Sequence, residues 1–156
     1  MIASREDLDR ARDECRRMVT RYAAASGAAG AIPLPGVDLA VDVFSLARLL
    51  TRINERFGVS EDAVRRMEPG LRGVLLGAIT GTGSQFIGKR LGPALIRRIV
   101  ERIGGRVLKR SAAKLVPFAG MAAAAGVSFA ATRTLGNAHV DACYQAVGRV
   151  LEARGA

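Results

Sequence analysis

The sequence offers almost no large rings with which to build a core. Of its 156 residues 4% are aromatic and none is tryptophan, yet hydrophobic residues of all kinds reach 49%. A chain so apolar and so short of bulky groups must bring its backbones close together, which alanine and glycine permit. The length is one domain's worth and can bury a core without disulfide or metal staples. No segment sustains two-residue alternation, whereas apolar residues recur at helical spacing along the chain. The pattern predicts an all-α fold: one domain over 1–156, a compact bundle of about six to eight helices with Gly/Ala-rich close packing. Residues 1–25 form an N-terminal helix in this reading, and 26–150 a helical core.

Local signals place the elements. Ser4 followed by Glu6 and Asp7 starts a helix with Leu8, Ala11, Cys15, Met18, Val19 and Tyr22 on one face, running to about Ala25. SGAAGAIPLPG then breaks it, because Pro33 and Pro35 forbid a continuous helix and Gly36 lets the chain turn. Asp38 and Asp42 open a second helix that carries Leu39, Val43, Leu46, Leu50, Ile53 and Phe57 and stops at Gly58. Ser60, Glu61 and Asp62 cap a short third helix that ends before Pro69. Gly73, Gly77 and Gly81 recur every four residues, which predicts one helix face open to the close approach of another backbone. Two basic helical pieces, 91–103 and 106–115, flank Gly104-Gly105. Pro117 opens an Ala/Gly-rich helix, and a separate last helix is expected from Ala138 to Ala153.

The net charge of +10 is concentrated. Residues 1–70 hold 11 basic and 11 acidic groups, whereas 71–156 hold 13 basic against 3 acidic. Nine of those bases, Lys89, Arg90, Arg97, Arg98, Arg102, Arg106, Lys109, Arg110 and Lys114, fall in residues 89–114 beside a single acid, Glu101. On helices, Leu91, Leu95, Ile96, Ile99, Val100 and Ile103 oppose the arginines of the first piece. Val107, Leu108, Ser111 and Leu115 oppose those of the second. A basic amphipathic pair of this kind suits an anionic membrane surface. Nucleic acid fits less well, since no aromatics are interleaved with the arginines.

Several sharper motifs fail on their chemistry. In GTGSQFIGKR, Gly83-x-x-x-x-Gly88-Lys89 matches a phosphate loop up to the lysine, but Arg90 stands where a magnesium-binding hydroxyl is required. A strand before the loop is required as well. His139 and Cys143, four apart on a helix, could touch, yet no third orienting group is apparent and packing is the simpler role. They would matter catalytically only in a shared open cleft. Asp38 and Asp42 lie four apart at a helix N-terminus, where the dipole favours acids, and no further ligand lies close in sequence. The sequence therefore predicts no enzyme activity, no metal and no cofactor. Cys15 and Cys143 read as reduced, packed thiols, and the opening MIASREDLDRARDECRR lacks a secretory apolar run, so a cytoplasmic location is expected. Two uncharged stretches, 73–88 and 115–132, come near spanning length, but their glycines and polar residues favour a buried helical hairpin.

The stretch AAGAIPLPGVDLAVDVFSLARLLTRINERFGVSEDAVRRM resembles the helical region of immunity-related GTPases and of the YcjF-type bacterial domain found beside Era-like GTPases. The likeness rests on the I-P-x-P-G turn at Ile32 to Gly36, the acid-started apolar helix, and the Phe57-Gly58 ending. KRSAAKLVPFAGMAAAAGVSFAATRTLGNAHVDACYQ resembles the corresponding end of those domains and of the EcsC family, through a V-P-x-x-G hinge at Val116 to Gly120 and Gly136-Asn137-Ala138. The resemblance implies a helical companion of a GTPase without the nucleotide-binding domain itself, since no D-x-x-G or N-K-x-D motif occurs. It also implies membrane targeting or subunit contacts. The expected function is thus non-catalytic and peripheral to an anionic membrane, accessory or scaffolding, with a separate GTPase as a candidate partner. The alternatives are an adaptor for an acidic protein and a membrane-inserting effector.

Overall fold

Ser4 starts the first helix by a reciprocal cap. Its Oγ accepts a hydrogen bond from the Asp7 backbone N–H at 3.1 Å, and the Asp7 carboxylate accepts one from the Ala3 N–H at 3.4 Å. The hydrogen bond from the Ala3 N–H, followed by that from the Ser4 hydroxyl, holds the Asp7 carboxyl below its ordinary pKa. The computed structural model describes residues 2–30, 37–82, 87–88 and 117–155, and all regular structure among them is helical. The helices are α1 (Arg5–Gly30), α2 (Val37–Phe57), α3 (Glu61–Arg65), α4 (Pro69–Thr82) and α5 (Pro117–Arg154).

Two boundaries differ from the sequence expectation. Helix α1 runs to Gly30 rather than about Ala25. Its last turns are held by packing: Ser26 is buried, and a Cβ on Gly27 would lie 3.3 Å from the Ala125 carbonyl and from Phe129 Cβ. The expected break before Ala138 does not occur, and α5 is one helix of 38 residues, roughly 57 Å long at the standard rise. Gly136 is a contact point there, not a breaker. A Cβ at that position would come within 2.8 Å of both Val19 methyl carbons.

Helices α1 and α5 form the backbone of the fold, packed antiparallel. Arg5 faces Glu152, Asp9 meets Tyr144, Arg16 meets Asp141, and Gly27 meets Ala125 and Phe129. From α1, Leu8, Ala11, Cys15, Val19 and Ala23 are fully buried at the spacing read from the sequence. From α5, Val140, Cys143, Ala146, Val147, Val150 and Leu151 meet them. Helix α2 closes a third side with Leu46, Leu49, Leu50, Ile53 and Phe57. It ends as expected at Gly58, whose φ of 68° allows the Val59 N–H to reach the Asn54 carbonyl at 2.8 Å and its own N–H the Glu55 carbonyl at 3.0 Å. Ser60 caps α3, its Oγ accepting from the Ala63 N–H at 3.3 Å.

Helix α4 packs on α5 through Leu75 and Ala78, with Leu71 and Ile79 partly buried. This choice of face overturns the role expected for Gly73, Gly77 and Gly81. All three are exposed, and beyond their own helix backbone no atom of the described residues lies within 4 Å of a Cβ built on any of them. Leu71, Leu75, Ala78 and Ile79 take the core side of α4, so the glycines point outward with Val74 and Leu76. Close helix approach is achieved instead by Gly27 and Gly136. Among the described residues of the two uncharged stretches, Gly73, Val74, Leu76, Gly77 and Gly81 of the first and Gly126, Val127 and Ala130 of the second are exposed, not buried as in the expected hairpin. Of the expected structural residues, Asp38 lies in α2, and Pro117 and Gly120 in the first turn of α5. Pro33, Pro35 and Gly36 lie outside the described residues.

Candidate functional site

The cationic residues singled out by sequence, Lys89, Arg90, Arg97, Arg98, Arg102, Arg106, Lys109, Arg110 and Lys114, all lie outside the described residues, as does Gly104-Gly105. The described fold does show where that segment departs. Ile87 is buried, and the Gly88 N–H donates to the Val59 carbonyl at 3.1 Å with φ at 71°. A Cβ on Gly88 would touch Val64 at 3.4 Å. The chain therefore leaves for Lys89 from the corner between α2 and α3.

Immediately before that corner, α4 presents its outward face. At about 100° per residue, Leu76, Thr80, Gly73, Gly77, Gly81 and Val74 follow one another around one side of the helix, with Leu76 and Val74 as shoulders. Leu76 is 51% and Val74 37% exposed. The hydroxyl of Thr80 donates to the Gly77 carbonyl at 2.7 Å, so the polar side chain on this arc is satisfied within its own helix. No charge occurs from Gly73 through Gly88. Because Pro69–Thr82 is helical, the glycine-rich stretch also lacks the preceding strand that a phosphate loop demands. Among the described residues no helix is long and apolar enough to cross a membrane.

Around the bundle, acids and bases pair among themselves. Arg56 Nε meets Glu14 at 2.5 Å and Arg16 meets Asp141 at 2.9 Å, linking α1 to α2 and to α5. Hydrogen bonding from Arg56 holds the Glu14 carboxyl below its ordinary range. Arg65 pairs with Glu61 along α3, and Arg10 with Glu6 and Asp7 along α1. The guanidinium of Arg12 stacks 4.5 Å from the Tyr144 ring centroid, while Tyr144 donates to Asp9 at 2.6 Å.

His139 and Cys143 do come together, four residues apart on α5, with Sγ 3.7 Å from Nε2. A third group completes the cluster: Asn54 Oδ1 of α2 lies 2.9 Å from His139 Nε2 and 3.7 Å from Cys143 Sγ. A carboxamide oxygen can only accept, so the Nε2–H tautomer of His139 donates to it. His139 and Asn54 are each only 3% exposed, and Cys143 is wholly buried. Burial lowers the imidazole pKa to about 4 and drives the Cys143 thiol far up, with Cys15 adding to the effect. A neutral imidazole beside a protonated, inaccessible thiol is a poor nucleophilic pair. The cluster instead pins α2 to α5 through a polar contact in an apolar core.

A cleft of about 220 Å³ opens where Ile2, Phe57, Leu75 and Leu151 meet, with Arg66, Glu68 and Arg154 as its charged lining. Neither His139 nor Cys143 lines it, and none of the described residues lining it carries a hydroxyl, thiol or imidazole. Among the described residues no three His, Cys, Asp or Glu side chains converge to hold a metal ion.

No family model, curated protein or solved structure matches this chain.

Sequence reasoning missed Asn54 and the Asp9–Tyr144–Arg12 contact. Asn54 carried a faint signal, being a polar residue directly after Ile53 and four after Leu50 on the apolar side of α2. The tyrosine contact had none, because it joins residues 135 apart in sequence.

Proposed function

We propose that this chain is a non-catalytic helical domain that binds an anionic membrane surface peripherally, on the cytoplasmic side, in an accessory or scaffolding role. The observation that carries the reading is where the acids go. Eight of the 14 acidic residues (Glu6, Asp7, Asp9, Asp13, Glu14, Glu61, Asp141 and Glu152) are ion-paired with Arg5, Arg10, Arg12, Arg16, Arg56 and Arg65 of the described helices. The nine bases of 89–114 have one acid, Glu101, within their own segment, and an anionic leaflet would attract them by about 1 kcal/mol per basic residue.

The sequence pattern of 91–103 and 106–115 supports two further helices, which would bring the five described here into the expected range of six to eight. The turn and hinge motifs at Ile32 to Gly36 and Val116 to Gly120 support kinship with the helical companions of GTPases, and with it a GTPase partner.

The test is co-sedimentation with phosphatidylcholine vesicles, with and without phosphatidylserine, across a salt series. Binding should require the anionic lipid, weaken as salt screens it, and fall on joint charge reversal of Arg97, Arg98 and Arg102. Equal binding to neutral vesicles contradicts the proposal. A salt-sensitive complex with an acidic protein, formed without lipid dependence, would favour an adaptor instead.

A further inference from the structure

Resting on the membrane reading, we infer that the seam between α1 and α2, through Arg17, Arg21, Arg48 and Arg52, is the face of the folded bundle that lies against the anionic leaflet. The two helices run antiparallel: Glu14 of α1 pairs with Arg56 of α2, and further along Val19 and Leu49 meet over Gly136. Arg17 and Arg21 follow Glu14 by three and seven residues, while Arg52 and Arg48 precede Arg56 by four and eight. At about 100° per residue, each set stays within roughly 80° of the Glu14–Arg56 pair on its own helix. The register therefore sets two arginines of α1 alongside two of α2, and all four are exposed. After the hydrogen bond from Arg56, Arg17 adds to the lowering of the Glu14 carboxyl, in agreement with that placement.

Charge selects the partner. Arg5, Arg10, Arg12, Arg16 and Arg56 of the same helices are matched to acids, whereas no acid among the described residues forms an ion pair with any of these four. The nearby acids are taken, Glu14 by Arg56 and Asp13 by Arg12. Four arginines against the exposed Glu55 leave the seam a surplus of three positive charges. Arginines a turn apart on one helix repel each other, and an anionic partner removes that cost. No hydrogen bond among the described residues fixes any of the four guanidinium groups, and none of them lines the cleft beside Phe57. A pocket for one phosphate would hold its arginines in place, so the seam suits a diffuse anionic surface instead. A nucleic-acid strand calls for successive aromatic platforms, and the described seam has one exposed ring, Phe44. It is 63% exposed, the most of any large apolar side chain described, and stands one turn before Arg48 on the same side of α2. Peripheral binding grows with attraction to anionic lipid and with buried apolar area together. Headgroups meet the arginines, and the acyl boundary receives Phe44.

Two variants of equal charge make the test. Arg17→Gln, Arg21→Gln, Arg48→Gln, Arg52→Gln together should weaken binding to phosphatidylserine vesicles by about tenfold or more, whereas Arg66→Gln, Arg133→Gln, Arg149→Gln, Arg154→Gln together should cost about threefold or less. All eight side chains are exposed, so neither variant disturbs the core, and both keep residues 89–114 intact. The difference between them therefore reports the seam alone. The chain has no tryptophan, so Phe44→Trp supplies a sole indole, whose emission should shift to shorter wavelength on adding the vesicles. Thr134→Trp, on the exposed side of α5, should not shift. If wild-type protein binds the vesicles, yet the two quadruple variants bind alike or the Phe44→Trp emission stays put, the assignment of the seam falls while the membrane reading stands. Failure of the wild-type protein to bind anionic vesicles removes both. A single-stranded oligonucleotide held by the wild type and lost only in the seam variant would then give this surface to nucleic acid.

Discussion

Val19 of α1 and Gly136 of α5 touch so closely that a single methyl group on the glycine would lie 2.8 Å from both Val19 methyl carbons. Leu49 of α2 closes the same spot, its Cδ2 3.3 Å from that position. Three helices therefore meet around one missing side chain, which is how a chain poor in aromatic rings obtains a dense core.

Gly136→Ala should accordingly destabilise the fold despite alanine's better helix propensity. Val19 is branched and stiff at χ1, so it cannot swing aside, and the helices must part slightly. Overpacking of this kind costs about 1–3 kcal/mol. Urea unfolding followed by circular dichroism should show a lower midpoint with an unchanged slope. The double variant Val19→Ala, Gly136→Ala should recover part of the loss.

Gly77→Ala should do the opposite. The residue is exposed, mid-helix, and free of neighbours around a Cβ, so only the entropy of the unfolded glycine changes, a gain of about 0.5–1 kcal/mol. Thermal unfolding should shift upward by about 2–4 °C per kcal/mol for a chain of this size. A downward shift would mean that another backbone rests on this face.

These two glycines show what was legible in the sequence and what was not. The helical fold, the Ser4 and Ser60 caps, the Gly58 stop and the buried stripe from Leu8 to Val19 depend on residues near one another in the chain, and a reading by period and cap finds them. Which glycine sits against a neighbouring helix is a different kind of fact. Gly73, Gly77 and Gly81 carry the regular spacing and Gly136 carries none, yet Gly136 makes the contact, because the register of α1 against α5 is set by apolar side chains more than 100 residues apart. Gly136-Asn137 reads locally as a helix boundary, but packing on both flanks carries α5 straight through it. The Asn54–His139–Cys143 cluster hid half of itself for the same reason: the α5 pair is legible at its spacing of four, and the α2 partner is not.

That cluster makes stability depend on pH. The imidazole of His139 titrates near 6.5 in the unfolded chain, and burial lowers it to about 4 in the folded one. Between those values the unfolded state holds more protons, so stability falls as pH drops from about 6.5 to 4 and is insensitive to this group above that range. The loss is on the order of 3 kcal/mol once pH is below both values. The depressed carboxyls of Asp7 and Glu14 act below their ordinary values of 3.8 and 4.5, leaving most of the window to the imidazole. Urea midpoints measured from pH 7.5 to 4.5 should slope downward in the wild type and much less in His139→Gln. Asn54→Leu, which removes the acceptor of the His139 N–H, should lower stability by about 1–3 kcal/mol at neutral pH.

The two thiols report on the same packing by their silence. Cys15 and Cys143 face each other's helices, both wholly buried; burial pushes the Cys15 thiol up to about 11 and that of Cys143 further still. Reaction with a disulfide reagent at pH 8 needs both access and thiolate, and the folded state denies each. Labelling in native buffer should therefore proceed only through unfolding, with both thiols modified at one rate and both reacting at once in strong denaturant. Where opening and closing outpace the reagent, that rate follows the unfolded population, about tenfold for each 1.4 kcal/mol. Gly136→Ala should then label faster by the factor its urea midpoint implies, and Gly77→Ala more slowly. A rapid phase from one thiol alone in the wild-type protein would show that α1 and α5 part locally without global unfolding, and the shared contact around Val19 and Gly136 would not be the clamp that its geometry indicates.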